Sequence, residues 1–125
     1  MESLASEYSK DHIACVQGDL QGEDVVARVF AEANAAFGPV QIIVINHGYY
    51  LNDYVPIVDM GLDQWNSTIS NDLTSPFLVS REFLRNLRAA SEVTKEKAAI
   101  VIVGSTAGKY GEHGHADYAA SKSGP

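Results

Sequence analysis

The stretch AAIVIVGS at residues 98–105 runs through six small or β-branched apolar residues to a glycine and a serine. A second run of this kind, VQIIVIN at residues 40–46, ends on an asparagine. Nearly continuous Ile/Val runs of this kind are typical of strands buried on both faces, as in a parallel sheet that helices cover. The two runs therefore predict the centre of an α/β fold.

Outward from these runs, helical patterns alternate with strand patterns. HIACVQ at residues 12–17 predicts a further strand, and GEDVVARVFAEANAAFG at residues 22–38 places its apolar residues on one helical face. A second helical pattern covers residues 62–90 and contains Pro76, which predicts a kink or break near residues 71–76. This order indicates a sheet with right-handed crossovers.

Composition excludes several classes of function. The 125 residues make at most one domain, and nine scattered basic residues against a net charge of −7 do not form a nucleic-acid surface. No apolar run approaches the roughly 20 residues of a membrane span. The single cysteine, Cys15, is predicted to be a small buried hydrophobic residue, and a reduced compartment fits. We expect a cytoplasmic protein with no nucleic-acid or membrane partner.

The motif YAASK places Tyr118 and Lys122 four residues apart, on one face of a helix. A free phenol ionises at about pH 10, and an ammonium held beside it favours the ionised form. A tyrosine in that setting can exchange a proton with an alcohol or carbonyl oxygen. Ser105, at the end of the run at residues 98–104, can orient that oxygen and share its developing charge.

The segment IVIVGSTAGKYGEHGHADYAASKSG at residues 100–124 resembles the catalytic stretch of the short-chain dehydrogenase/reductase family, in which a strand-end serine precedes a Tyr-x-x-x-Lys helix start. QGDL resembles the family's adenine-contacting strand end, at Asp19 and Leu20. VINHG resembles its Asn-Asn-Ala-Gly motif, with Asn46 and Gly48 kept and Ile45 and His47 substituted. WNSTISNDLTSPF resembles its long helix with a catalytic asparagine at the break, here Asn71.

The resemblance implies hydride transfer between NAD or NADP and the carbon of a small carbonyl or alcohol substrate. Tyr118 would be the general acid/base, Lys122 would favour its ionised form and hold the nicotinamide ribose, and Ser105 would orient the substrate oxygen. Asn71 would support Lys122 through water. The implied cofactor-binding residues are Asp19, Leu20, Asn46, Gly48, Tyr118 and Lys122. Full-length family members are expected to be homo-oligomers.

The sequence contains no Gly-x-Gly, so the glycine-rich turn of a dinucleotide site is absent from it. We therefore expect residues 1–125 to form a partial NAD(P)-binding Rossmann domain: an incomplete doubly wound, three-layer α/β/α fold with three parallel strands. It would lack the N-terminal glycine-rich βαβ unit and the C-terminal strands. The strand at residues 12–17 would then have no neighbours to pair with, and the chain alone would have no dehydrogenase activity.

Other interpretations stay open beside this one. The chain could be a non-catalytic remnant that binds a partner through the helix at residues 62–90, or, with less support, a receiver-like signalling domain. Asp19 could simply cap the following turn, and Tyr49 and Tyr50 could line a substrate site or only cover the sheet. His113 and His115 lack the third ligand of a zinc site, so no metal is expected.

Overall fold

The structure, a computed structural model, describes residues 12–124. Two parallel strands form the sheet of this part of the chain: β1 (Ile42–Ile45) and β2 (Ala99–Ile102). Their register places Ile42 opposite Ala99 and Ile45 opposite Ile102. Both strands fall inside the apolar runs of the sequence, so the predicted centre of the fold is confirmed.

Helices occupy more than half of the other described residues. They are α1 (Glu23–Phe37), α2 (Leu62–Ile69), α3 (Ser75–Arg88), α4 (Glu92–Glu96), α5 (Ala107–Tyr110) and α6 (Ala116–Lys122). A π-helical segment, Ser70–Thr74, joins α2 to α3. The alternation of helices with a parallel sheet is the α/β arrangement that the sequence predicts.

The hydrophobic core lies between α1, α3 and one face of β1. Val26 and Phe30 of α1 pack with Leu78 and Phe83 of α3, and the rings of Phe30 and Phe83 are 6.5 Å apart between centroids. Each of these four side chains is at most 6% exposed. The apolar face that the 3.6-residue period predicts for α1 is therefore the face that packs.

The predicted break in the long helix is present and takes the form of the π-helical segment. Pro76 lies in the first turn of α3, where its missing N–H costs little. A π-helical turn holds one extra residue, so the helix continues after it with its faces rotated. This rotation decides which side chains of residues 70–74 face the end of the sheet.

Residues 12–17 do not form the third strand that the sequence predicts, and Cys15 is exposed rather than buried. A strand needs a neighbour to satisfy its N–H and C=O groups. In residues 12–124 only β1 and β2 pair with each other, so no strand lies beside residues 12–17. The apolar pattern of residues 12–17 alone could not show whether a neighbouring strand is present.

In the described residues helices cover one face of β1, whereas all four residues of β2 are exposed. Ile43 and Ile45 face the core between α1 and α3, whereas Ile42 and Val44 are 60% and 62% exposed. Because side chains alternate along a strand, these exposures define an uncovered second face. Two layers are therefore built from residues 12–124, where the sequence predicts three.

Candidate active site at the carboxyl ends of the strands

A cavity of about 230 Å³ opens where β1 and β2 end. We call it the strand-end cavity, and it is lined by Asn46, His47, Gly48, Tyr49, Tyr50, Val103, Gly104, Tyr118 and Lys122. Ligands of open parallel sheets bind at this edge. The sheet therefore brings four of the sequence-predicted site residues, Asn46, Gly48, Tyr118 and Lys122, to one place.

Tyr118 and Lys122 enter the strand-end cavity from α6. Their spacing places Lys122 Nζ 5.7 Å from the centroid of the Tyr118 ring. Tyr50 packs edge-on against the Tyr118 ring at 4.9 Å and lies 4.6 Å from the His115 ring. These contacts fix the orientation of the phenol, so the interpretation of Tyr50 as a site-lining residue fits the structure.

Gly48, three residues after β1, lies close to the end of the Lys122 side chain. A Cβ built on Gly48 would lie 3.1 Å from Lys122 Nζ and 3.4 Å from Asp72 Oδ1. Asp72 belongs to the π-helical segment and is fully buried, and its Oδ1 accepts a hydrogen bond from the backbone N–H of Tyr49. A glycine at position 48 thus leaves room for the ammonium beside the end of the strand.

The side chain of Asn71 faces away from Lys122. Its Nδ2 donates to the carbonyl of Ser67 at 2.9 Å, and its Oδ1 accepts from Nε2 of Gln21 at 3.4 Å. The backbone carbonyl of Asn71 accepts a bond from Ser75 Oγ at 2.6 Å. The structure therefore does not bring the amide of Asn71 to the strand-end cavity, and it buries the neighbouring Asp72 against the backbone N–H of Tyr49.

A second cavity of about 200 Å³ lies beside the first. It is lined by Gly18, Asp19, Leu20, Gln21, His47, Asn71 and Ser75. Asp19 Oδ1 accepts from the backbone N–H of Gln21 at 3.0 Å, which is the turn-capping role left open by the sequence. Asp19 and Leu20 also line this cavity, so capping and ligand contact are compatible for this pair.

His47 lines both cavities and forms the wall between them. Its Nε2 lies 2.6 Å from Ser75 Oγ, which in turn donates to the carbonyl of Asn71. Because the serine hydroxyl is used as a donor, Nε2 of His47 carries the hydrogen. Burial lowers the pKa of His47, Lys122 lowers it further, and Asp72 acts in the opposite direction. The imidazole is therefore held neutral at pH 7.

Ser105 follows β2 and lies outside the residues that line either cavity. Its Oγ accepts a hydrogen bond from the backbone N–H of Ala107 at 3.2 Å, at the start of α5. Gly104, next to it, does line the strand-end cavity. In this rotamer the Ser105 hydroxyl caps the chain after β2 and does not line the strand-end cavity.

A buried carboxylate, Asp117, fixes α6 to α2. Its Oδ2 accepts hydrogen bonds from Thr68 Oγ1 at 2.7 Å and from Gln64 Nε2 at 3.2 Å. Burial alone would raise the pKa of Asp117, but hydrogen bonds from the Thr68 hydroxyl, the backbone N–H of Tyr118 and Gln64 outweigh it, so the pKa is lowered. These bonds hold the helix that carries Tyr118 and Lys122.

The loop that follows β1 lies against the loop before α6. The Tyr54 hydroxyl lies 3.1 Å from His113 Nε2, and the backbone N–H of Val55 donates to the carbonyl of Gly114 at 3.1 Å. The side chains of Tyr54 and His113 therefore contact each other where the two loops meet.

Within residues 12–124 no group of three metal-ligating side chains converges, and no helix has the length and apolar character needed to cross a membrane.

Sequence reasoning missed three side chains of this site: Asp72, His47 as a wall residue, and Asp117. His47 carried a signal, since it departs from the motif that VINHG resembles. Asp72 and Asp117 each adjoin a residue that the motifs identified, Asn71 and Tyr118. The burial of Asp72 depends on the π-helical segment, and that of Asp117 depends on the packing of α6 against α2, so the sequence could not distinguish these positions from their neighbours.

The sequence of the chain is similar to those of known dehydrogenases and reductases. The sequence matches the family described as short chain dehydrogenase over residues 1–125. It is 26% identical over 126 residues to 2-dehydro-3-deoxy-D-gluconate 5-dehydrogenase of Formosa agariphila, a match that covers 99% of this chain and 45% of that protein. It is 30% identical over 115 residues to 3-oxoacyl-(acyl-carrier-protein) reductase MabA of Mycobacterium avium, covering 91% of this chain and 42% of that protein.

The fold is similar to solved structures as well. The short-chain dehydrogenase/reductase glucose/ribitol dehydrogenase from Brucella melitensis superposes with a TM-score of 0.81 at 28% identity over 96% of this chain and 45% of that one. A short chain dehydrogenase from Mycobacterium smegmatis gives a TM-score of 0.78 at 28% identity, over 87% of this chain and 43% of that one. The chain therefore spans under half the length of the relatives it matches.

Proposed function

The chain belongs to the short chain dehydrogenase family, and we propose that it carries the proton-transfer centre of an NAD(P)-dependent oxidoreductase acting on a small carbonyl or alcohol. The observation that carries this proposal is the strand-end cavity, which Tyr118 and Lys122 line together. A phenol beside an ammonium at the carboxyl ends of parallel strands suits proton exchange with a substrate oxygen.

The residues present fit the nicotinamide end of the cofactor. Tyr118 and Lys122 offer a hydroxyl and an ammonium to a ribose, and Gly48 leaves beside that ammonium the space that a Cβ would fill. Asn46 lines the same cavity. Asp19 and Leu20 line the second cavity, where the proposal assigns them to the adenine end.

When bound, the nicotinamide supplies or accepts the hydride at the substrate carbon. In reduction Tyr118 donates its hydroxyl proton to the carbonyl oxygen, and in oxidation the phenolate takes that proton from the alcohol. Lys122 places its positive charge 5.7 Å from the centroid of the Tyr118 ring, where it stabilises negative charge that develops during the proton transfer. Ser105 orients the substrate oxygen after turning its hydroxyl from Ala107 towards the cavity, beyond Gly104.

Asn71 enters the proposal through its backbone. Its carbonyl lies at the end of the hydrogen-bond chain from Ser75 and His47, and His47 forms the wall between the second cavity and the strand-end cavity. A water at that wall can link the carbonyl to Lys122. The side chain of Asn71 faces the second cavity and contributes to its lining.

Residues 1–125 are proposed to be part of an NAD(P)-binding Rossmann domain, because a glycine-rich turn for the pyrophosphate is not among them. Cytoplasmic location and assembly into homo-oligomers remain proposals for the complete enzyme. The alternative of a non-catalytic partner-binding chain is not favoured, since the relatives named above are dehydrogenases and reductases.

A graft tests the proposal. Residues 12–124 replace the segment they match in the Brucella melitensis protein, and oxidation of NADPH and NADH is followed with a panel of ketones. We expect Lys122→Met to lower kcat/KM for the carbonyl by roughly 10²-fold and to weaken cofactor affinity. Lys109→Met is the matched control, because Lys109 also lies over a tyrosine ring, that of Tyr110 at 5.0 Å, but outside the cavity.

The control should stay within about twofold of the parent graft. Equal losses in Lys122→Met and Lys109→Met, or full turnover in both, would show that the ammonium in the strand-end cavity has no special part in the reaction. The proposed function would then be wrong for these residues.

A further inference from the structure

Tyr50 is the aromatic neighbour of Tyr118. Its ring packs edge-on against the Tyr118 ring, with 4.9 Å between the centroids and 85° between the planes. Among residues 12–124 no other aromatic side chain packs on Tyr118. Tyr118 lies in the first turn of α6, and a helical backbone permits more than one χ1 rotamer for a tyrosine. The helix alone therefore does not set the direction of the phenol.

The ring of Tyr50 also contacts His115, directly before α6. The two ring centroids are 4.6 Å apart. His115 is only 7% exposed, and its carbonyl accepts a hydrogen bond from the backbone N–H of Ala119 at 2.9 Å, which fixes it to the first turn of the helix. Tyr50 thus packs between two side chains at the start of α6. Any movement of Tyr50 would change the surroundings of the phenol.

Tyr50 lies in the loop after β1, and contacts four and five residues further along hold this loop. The Tyr54 hydroxyl lies 3.1 Å from His113 Nε2, and the two rings are 5.0 Å apart between centroids. The backbone N–H of Val55 donates to the carbonyl of Gly114 at 3.1 Å. We call these contacts the clasp. It joins the loop of Tyr50 to the loop that leads into α6.

The clasp requires a glycine at position 114 for two separate reasons. Gly114 has a φ of 76°, in the left-handed region that favours glycine. A Cβ on Gly114 would also collide with the Tyr54 ring. The two loops therefore meet through a residue without a side chain, and that residue directly precedes His115.

We propose that Tyr50 is a positioning residue: its ring sets the direction of the Tyr118 phenol, and the clasp holds Tyr50 in place. An edge-on arrangement is a favoured geometry for two aromatic rings, so the ring of Tyr50 rather than its hydroxyl performs this role. The inference rests on the proposed function only for what Tyr118 then does. Tyr50 acts through Tyr118.

NMR of the 125-residue chain with ring-labelled tyrosine tests the contact without turnover. The Tyr118 signals are assigned by their loss in Tyr118→Phe. We expect a nuclear Overhauser effect between the rings of Tyr50 and Tyr118 in the parent chain. Tyr50→Leu should shift the Tyr118 ring signals, because the edge-on ring is lost, and Tyr54→Leu should shift them in the same direction, because the clasp opens.

Tyr110→Leu is the matched control for these shifts. It removes a tyrosine ring that is 74% exposed on α5, so the Tyr118 signals should stay where they are in the parent chain.

Kinetics of the graft separate positioning from a merely structural role. Tyr50→Leu should lower kcat by roughly 10- to 100-fold and change KM little, because a misdirected phenol slows proton transfer without removing a binding contact. Tyr50→Phe keeps the ring and should recover most of that loss.

Unchanged Tyr118 signals in Tyr50→Leu, or no Overhauser effect between the two rings in the parent chain, would overturn the proposal. Equal losses of kcat in Tyr50→Leu and Tyr50→Phe would assign the effect to the hydroxyl and overturn it as well. If the signals shift as expected while Tyr118→Phe leaves turnover of the graft unchanged, the positioning contact is supported and the proposed function fails.

Discussion

At the scale of single residues, His47 determines how the two cavities meet. It is the wall of both, and its bond to Ser75 fixes the hydrogen on Nε2. The lowered pKa of His47 means that the unfolded chain takes up this proton more readily than the folded chain does. Protonation of His47 therefore opposes folding.

The lowered pKa of His47 determines how the stability of the fold changes with pH. The contribution of neutral His47 to stability is fully present above the ordinary value of about 6.5 and is lost as the pH falls through the lowered folded value. We expect the free energy of unfolding, measured by urea with Trp65 fluorescence, to drop between pH 8 and pH 5.5. His47→Gln should flatten this drop.

His113→Gln is the control, since His113 is exposed on the loop before α6. An equal pH dependence in the parent chain and in His47→Gln would contradict the role given to burial of the imidazole. A drop abolished by His113→Gln would assign the effect to the loop instead.

Sequence reasoning found Tyr118 and Lys122 because an i, i+4 pair on a short helix leaves little freedom in where the two side chains lie. It selected Asn71 and missed Asp72 because the π-helical turn adds a residue and rotates the following face. Periodicity predicts a break near residue 71 but cannot say which of two adjacent polar residues faces Gly48. That choice depends on the packing of Tyr49 and Lys122 around it.

At the scale of elements, α6 is seven residues long and is held by its neighbours rather than by its own length. Asp117 bonds it to α2, and Ser123 Oγ donates to the carbonyl of Gly108 at 2.9 Å. A Cβ on Gly108 would collide with the carbonyl of Lys122, so α5 approaches the end of α6 through a glycine. Tyr118 and Lys122 are therefore positioned by α2 and α5.

Removing the buried carboxylate should loosen α6. Asp117→Ala leaves the Thr68 hydroxyl without its acceptor, and we expect a loss of about 2 kcal/mol in the free energy of unfolding, measured by urea titration. Asp53→Ala, an exposed residue of the loop after β1, should change it by less than about 0.5 kcal/mol. Equal effects of the two substitutions would show that Asp117 does not anchor the helix.

Among the elements, β1, β2, α1 and the interrupted long helix were predictable, because their apolar periods are long or continuous. The short helices α4 and α5 were not, since four or five residues are too few for a period to show. The serine that caps the N-terminus of α4 is a common capping residue: Ser91 Oγ accepts a hydrogen bond from the backbone N–H of Thr94 at 3.3 Å. The strand predicted at residues 12–17 is wrong because pairing depends on neighbours rather than on composition.

At the scale of the whole molecule, the sheet described in residues 12–124 has two strands, and one face of β1 is uncovered. An apolar cleft of about 310 Å³ lies between α1 and β1, and the second face of β1 is exposed. A two-stranded sheet is marginal without further cover. The comparisons agree, since the chain spans 42–45% of the lengths of the relatives described above. That residues 1–125 alone lack dehydrogenase activity stays a prediction.

The central claim is that Tyr118 exchanges the proton in this reaction, and the graft into the Brucella melitensis protein tests it most directly. The measurement is the rate of ketone reduction in Tyr118→Phe beside Tyr110→Phe, which removes the same hydroxyl from a tyrosine that is 74% exposed on α5. We predict a fall of about 10²- to 10⁴-fold for Tyr118→Phe and none for Tyr110→Phe. Equal rates in the two variants would contradict the account.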